Sequence, residues 1–259
     1  MLDGLIVLLR NISAAGGSRR GAWFVLFYAL LITLPVQAGQ SMIMQQTLRD
    51  VSLVPYVDML EDSTRTLDFN AADVAFANGG GHAMPGDNIN IGFSSSSFWF
   101  RFGLVNAWSK PRTVFVQIDF AILDRVDLYC GRPGEKPTFF QLGDHVQFES
   151  RPVAVRNFAV PLEFQAGDTQ ICTLRVESTS NIAVPITVSD VVPFVEDTRA
   201  GDWLLGWFYG LAFGLFVYNL LVYFATRERV YLLYVLHVMG GWGYNSALDG
   251  SFSMLWTLL

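Results

Sequence analysis

Apolar and polar positions follow three successive patterns along this chain. Near the start, Ala22 to Leu34 is an almost unbroken apolar run, preceded by Arg10, Arg19 and Arg20 and stopped by Pro35, with Val36-Gln37-Ala38 behind it. A positive region, an apolar core of about a dozen residues and a small residue before the break are the three parts of a secretory signal. An uncleaved helix of that length would span the hydrocarbon core poorly, so a short anchor is the weaker reading. Residues 1–38 are therefore predicted to be a signal peptide. Leu5-Ile-Val-Leu-Leu9, ahead of the arginines, is the one feature outside that pattern and suggests a misplaced start codon.

The third pattern lies at the other end. Trp203 to Ala225 is 23 residues without a charge, about 35 Å as a helix at roughly 1.5 Å per residue. Thr226-Arg-Glu-Arg229 follows, and Val230 to Leu248 gives 19 more uncharged residues. Two spans and a short loop predict a transmembrane α-helical hairpin. Arg227 and Arg229 place the loop in the cytoplasm by the positive-inside rule, which leaves residues 39–202 outside, in agreement with a signal peptide. In the first span Gly206, Gly210 and Gly214 recur at every fourth position, a stripe that allows close helix packing, and Asn219 needs a polar partner in hydrocarbon. Glycine is also simply frequent in membrane helices. Gly240, Gly241, Gly243, Asn245 and Ser246 make the second span similar in kind. Both helices look built to pack on more helices than the chain supplies, through a homodimer or a larger bundle. Residues 201–259 are accordingly expected to be the first two helices of an incomplete multi-span domain.

Between the ends the pattern is short and alternating. Phe98–Val105, Arg112–Ile118, Arg125–Cys130, Val153–Val160, Gln170–Glu177 and Ala183–Val188 are rich in aromatic and β-branched residues and bounded by Gly, Pro, Asn and Asp, the signature of strands. Long helical periodicity is absent, so residues 39–200 are predicted to form an all-β jelly-roll sandwich. Alternation assigns faces. Phe98, Phe100 and Phe102 share one face of their run, and Val126, Leu128 and Cys130, like Cys172, Leu174 and Val176, are the inward sets of theirs; Trp99, Arg101, Asp127, Tyr129, Arg175 and Glu177 point the other way, on strands that need not be neighbours. Aromatic platforms beside charged hydrogen-bonding groups suit a sugar or other small polar ligand. An ordinary solvated face with cross-strand ion pairs is the competing reading.

Composition narrows the function classes. Only 15% of residues are charged and 52% are hydrophobic, with a formal charge of −6. The stretch 39–202 holds 20 acidic and 12 basic residues, net −8, which excludes a basic nucleic-acid binder. Cys130 and Cys172 make no C-x-x-C pair; both fall on apolar faces, and buried free thiols are favoured over a disulfide because sequence cannot place their Cα atoms within about 7 Å. His82, His145 and His237 are scattered, so neither a metal cluster nor a Ser/His/Asp triad is visible, and no cofactor pattern occurs. Asp119, Asp124 and Asp127 lie close in sequence but are more easily turn groups than a glycosidase pair. Asp87-Asn-Ile-Asn90 is more readily a polar loop than a calcium site.

Several motifs occur together in one order. Phe98-Trp-Phe-Arg-Phe102 with Asn106, Asp124-Arg-Val-Asp-Leu-Tyr129, Gly143-Asp144 followed by Arg151, and Leu174-Arg-Val-Glu-Ser178 with Pro185 resemble the type 2 extracellular domain of the bacterial seven-transmembrane receptors with diverse intracellular signalling modules. Tyr209-Gly210, Tyr218-Asn219-Leu220 and Tyr231-Leu-Leu-Tyr234 look like the opening of that family's membrane domain. The resemblance covers about residues 50–248. It implies a periplasmic jelly roll, similar to carbohydrate-binding domains, on seven helices in the inner membrane. The cytoplasmic output would be a diguanylate cyclase, histidine kinase or phosphatase module. About five helices and the output are missing from this chain, which is not itself expected to be an enzyme.

The expected function is thus the front part of a sensory receptor. Its exported domain takes a small, saccharide-like ligand, and Val191–Asp202 links it to the helices. The alternative is a membrane-tethered structural or partner-binding domain. Cleavage is expected after Ala38: N-terminal sequencing of the mature protein should begin at Gly39, and a mature chain still carrying Trp23 would show that the segment stays as an anchor.

Overall fold

The structure, a computed structural model, describes residues 41–84, 86 and 88–248; the expected signal peptide lies outside them. In chain order the elements are β1 (Met42–Met44), β2 (Val51–Ser52), β3 (Asp58–Asp62), α1 (Phe69–Ala77), β4 (His82–Ala83), β5 (Asn90–Phe93) and β6 (Ser97–Asn106). They continue with β7 (Arg112–Ile118), β8 (Arg125–Gly131), β9 (Thr138–Leu142), β10 (Phe158–Phe164), β11 (Thr169–Glu177), β12 (Asn181–Ala183) and β13 (Ile186–Asp190). One sheet runs β4-β3-β6-β11-β8-β9, with β1 parallel to the far end of β6. A second runs β10-β7-β13-β2, and β12-β5 is a separate ribbon. From β6 onward the chain changes sheet at most connections, which is jelly-roll wiring. The two inner faces bury one core, in which Phe98, Phe100, Phe102 and Leu104 of β6 meet Val114, Val116 and Ile118 of β7.

Strict alternation made β7 visible to the residue, since every second side chain from Arg112 to Ile118 is buried. The run expected over Val153–Val160 begins instead at Phe158. Arg151 explains the delay: its Nη1 donates to the carbonyls of Val155 and Arg156 (3.4 and 3.2 Å), so that segment's acceptors go to a side chain rather than to a strand ladder. The strand expected over Ala183–Val188 is two short ones, interrupted at Val184-Pro185, because proline cannot donate to a ladder. Helix α1 was not anticipated. Asp68 caps it by accepting from Ala71 N at 2.8 Å, yet Ala72 is its sole buried residue, too little for an apolar period.

The expectation of free thiols is overturned. Cys130 of β8 and Cys172 of β11 are opposite each other in register, with Cα atoms 4.2 Å apart, and form a disulfide. The pairing of two strands 42 residues apart supplied the proximity. A bond closing a loop of that size constrains the unfolded chain by about 2–4 kcal/mol.

Strand β13 passes without a loop into α2 (Val191–Thr226), 36 residues long, or about 54 Å. Arg227 ends it in the left-handed region (φ 59°), its N–H on the Tyr223 carbonyl, and α3 (Arg229–Leu248) follows. By length and composition α2 is the one helix among the described residues long and apolar enough to cross a membrane; the glycines, Asn245 and Ser246 dilute α3. The segment Val191–Asp202, expected to link the sandwich to the membrane helices, is the first part of the same helix as the apolar stretch. The glycine stripe is open: a Cβ added at Gly206, Gly210 or Gly214 would meet nothing within 4 Å among the described residues. Tyr209 and Trp242 (6.2 Å between rings) approach across the α2–α3 contact instead. Asn219 is buried and satisfies its amide within its own helix, donating to Leu215 O at 2.8 Å.

The first turns of α2 are fastened to the sandwich. Arg112 holds Asp190 through Nη2 at 2.6 and 2.7 Å, and its side chain is only 4% exposed. Asp190 also accepts from Leu48 N at 2.8 Å. Phe194 stacks on Phe115 at 4.1 Å, Arg49 pairs with Glu196 and Asp197, and Arg156 reaches Asp202 at 3.2 Å. Removing one partner of a buried pair strands the other charge. Arg112→Ala is expected to lower stability by about 3–5 kcal/mol, read as a loss of melting temperature; a fall no larger than that of the exposed-pair variant Arg49→Ala would contradict the assignment.

Candidate functional site

The first sheet turns one face to the core and the other outward, and the outward face carries the chemistry. Strands β6, β11 and β8 are neighbours, so the register sets Trp99 opposite Arg175 and Arg175 opposite Asp127; Leu60 of β3 and Gln141 of β9 extend that row. The next row is Asp58, Arg101, Thr173, Tyr129 and Phe139. Glu177 lies opposite Arg125. All six residues expected to point outward therefore share one contiguous surface.

That surface is roofed. Helix α1 brings Phe69 onto Tyr129 (4.7 Å), Tyr129 also meets Phe139 (4.8 Å), and Trp99 lies 6.4 Å from Tyr129. Asp73 pairs with Arg101 at 3.2 Å, and the Arg101 guanidinium sits over Phe76 at 5.7 Å. Beneath, Trp99 and Asp127 are 0% exposed. Arg125 Nε donates to Asp127 Oδ2 at 2.8 Å, Arg175 donates to Glu177, and the Arg175 guanidinium lies over the Trp99 ring at 5.5 Å. Three buried polar atoms of this row have no hydrogen-bond partner among the described residues: Trp99 Nε1, Arg175 Nε and Asp127 Oδ1. A buried polar group left unpaired costs about 1–3 kcal/mol.

Beside the row a half-open cleft of about 340 Å³ remains. Its floor is Arg101, Thr173, Ile171 and Gly131; Phe69 and Asp73 form one wall and the turn from Arg132 to Pro137 the other. A side chain at Gly131 would meet the Pro137 backbone at 2.9 Å, so glycine is what lets the turn fold onto the strand. Arg132 anchors that wall with a bidentate hold on Asp168 (2.8 and 3.0 Å). The two guanidinium groups lining the cleft, Arg101 and Arg132, are each matched to carboxylates. The cleft suits a neutral polar molecule that can use a threonine hydroxyl, a salt-bridged pair and aromatic walls.

Burial shapes the acids. It pushes the Asp127 carboxyl above its ordinary value against the opposing pull of Arg125, and likewise Asp58 against Arg101. Burial, followed by the charge of Asp127, raises the Tyr129 phenol. For Asp62, which holds the turn into α1, burial acts upward but is outweighed by hydrogen bonds from Thr64, Leu67 and Ser97, and the carboxyl ends below its ordinary value. Donor atoms of Asp124, Asp144 and His145 lie within 4.8 Å of one another. Asp124 is already engaged by Thr179 N, Thr179 Oγ1 and Ser178 Oγ, which marks it as a turn-holding group. Asp119 bonds Asn157 at 2.9 Å, so the three aspartates close in sequence serve different partners.

The sequence matches the family model described as 7TMR-DISM extracellular 2 over residues 54–190, and that described as 7TM diverse intracellular signalling over residues 201–257. The chain belongs to the 7TMR-DISM family. It is a membrane protein of receptor type, with a β-sandwich followed by a long apolar helix. No curated protein matches the chain. Among solved structures, TmCBM61 in complex with beta-1,4-galactotriose is similar with a TM-score of 0.30 and 8% identity, covering 57% of this chain and 99% of that one. An exo-beta-1,3-galactanase from Phanerochaete chrysosporium gives 0.21 and 14%, over 40% of this chain and 26% of that one.

Within the 7TMR-DISM sandwich, Arg101 is the one of the six expected ligand residues that lines the cleft; Trp99, Asp127, Tyr129, Arg175 and Glu177 form the neighbouring ground, with Trp99 and Asp127 wholly covered. Phe69, Asp73, Thr173 and the 132–137 wall went unrecognised. Asp68 ahead of Phe69-Asn-Ala-Ala was the available signal for α1.

Because Asp127 keeps its proton to a higher pH folded than unfolded, its stabilising share is fullest below about pH 3.9, the unfolded value, and is lost as pH rises through the raised folded value. The permanently neutral variant Asp127→Asn escapes that loss. Its melting temperature relative to the parent is expected to improve between pH 4 and pH 7; a difference independent of pH would contradict the raised carboxyl.

Proposed function

We propose that this 7TMR-DISM chain is the sensing part of a receptor in the bacterial inner membrane. Its sandwich, on the periplasmic side, binds a small neutral polar ligand of carbohydrate type, and the membrane helices carry the event to an output module. The observation behind this reading is the cleft on the outward face: Arg101, Asp73 and Thr173 offer fixed donors and acceptors beside Phe69, with both lining guanidinium groups charge-matched. The route to the membrane is covalent and stiff, because β13 becomes α2 with no intervening loop and four side-chain contacts clamp the junction. A ligand that favours one arrangement of the sandwich would thereby favour one arrangement of the helices.

The full chain in detergent or nanodiscs is expected to gain melting temperature with at least one neutral sugar from a panel containing glucose, galactose, mannose, N-acetylglucosamine and their common disaccharides. Arg101→Ala should weaken that binding at least tenfold. A shift that survives Arg101→Ala would move the site elsewhere. No shift with any sugar would favour the tethered, partner-binding domain.

A further inference from the structure

Helix α1 is an unusual cover. It is nine residues long, buries Ala72 alone, and rests on the sheet through Phe69, Asp73 and Phe76. A helix this short has little stability of its own, and an element with few buried contacts opens at a fraction of the global cost. Its flanks are unequal: the entry turn is pinned at Asp62, while the exit is the glycine run Asn78-Gly-Gly-Gly81, with Gly79 at φ 78°. The neighbouring row is reached by the entry turn, whose Arg65 carbonyl accepts from Arg175 Nη2 at 3.4 Å. In that row Trp99 and Asp127 are fully buried, and an atom of each, together with Arg175 Nε, is unpartnered among the described residues. Native proteins satisfy nearly all buried polar groups, so a run of three in one cross-strand row needs an explanation.

We infer that α1 together with its entry turn is a lid, and that the row Trp99–Arg175–Asp127 beside the helix and reached by that turn is a binding subsite continuous with the Arg101 cleft. This rests on the ligand-sensing reading above and extends the site from the open cleft to the covered row. The unpartnered groups are two N–H donors and one carboxylate acceptor in a single cross-strand row. Vicinal hydroxyls, which both donate and accept, match that set; a carboxylate or phosphate would meet Asp127 unfavourably, and an amine would meet Arg175. The occupant is therefore a neutral polyhydroxylated molecule. In the closed form the lid competes with it, so apparent affinity is reduced by the fraction of molecules that are open.

Gly81 gives a handle outside the binding residues. A Cβ there would press on the Phe76 ring at 2.7 and 2.9 Å, wedging the cation–π contact that holds the lid to Arg101. Amide hydrogen exchange of the full chain should show residues 72–77 exchanging at least 100-fold faster than the paired amides of β6 and β11, and about tenfold faster again in Gly81→Ala. The sugar that shifts the parent should bind Gly81→Ala several-fold more tightly and Trp99→Phe at least tenfold more weakly. Exchange of α1 at the rate of β6 would overturn the lid while leaving the sensing reading intact. Unchanged sugar affinity in both variants would overturn the subsite. Should no sugar bind parent or Gly81→Ala, the polyhydroxylated occupant falls together with the sensing reading, even if α1 opens.

Discussion

The ion pair between Arg112 and Asp190 stands where two different folding problems meet. On one side is a sandwich stabilised by burial of alternate side chains, and on the other a helix whose apolar surface needs lipid. Arg112 touches both: it holds Asp190 at the last residue of β13 and also donates to the carbonyls of Met44 and Gln46, with Trp108 stacked on it at 4.4 Å. The N-terminal strand, the second sheet and the start of α2 are thus tied at one guanidinium. A buried pair of this kind adds little net stability over apolar packing, but it fixes geometry, because the alternatives leave a charge unmatched.

The sandwich's outward face follows a related logic. Its charged groups are arranged so that each guanidinium has a carboxylate, and its aromatic rings from three elements gather over the Tyr129 position. The disulfide beneath this face, between Cys130 and Cys172, ties β8 to β11 on the core side of the same sheet. The floor is therefore rigid where the cover is light. That contrast is what a preorganised polar surface with an adjustable entrance requires.

Period-two alternation made much of this legible. The core set and the outward set of β6, β8 and β11 followed from residue spacing, and β7 was placed to the residue. Spacing could not say that these strands are neighbours, since register across β6–β11–β8 is a tertiary fact; the same gap hid the disulfide. Short strands such as β2 and β4, of two residues each, are below the length at which alternation has meaning. Helix α1 escaped because one buried alanine leaves no periodic trace, and with it went Phe69 and Asp73. The late start of β10 had a side-chain cause, Arg151, that no local pattern records.

The uninterrupted passage from β13 into α2 has a mechanical corollary. Because the helix is about 54 Å long and its root is bolted at Asp190, Phe194 and Asp202, it behaves as a lever arm. One degree of tilt at the root carries the far tip sideways by about 1 Å for an arm of that length. Rearrangements too small to alter a single strand pairing would still arrive at the other end amplified to the scale on which neighbouring helices change their packing.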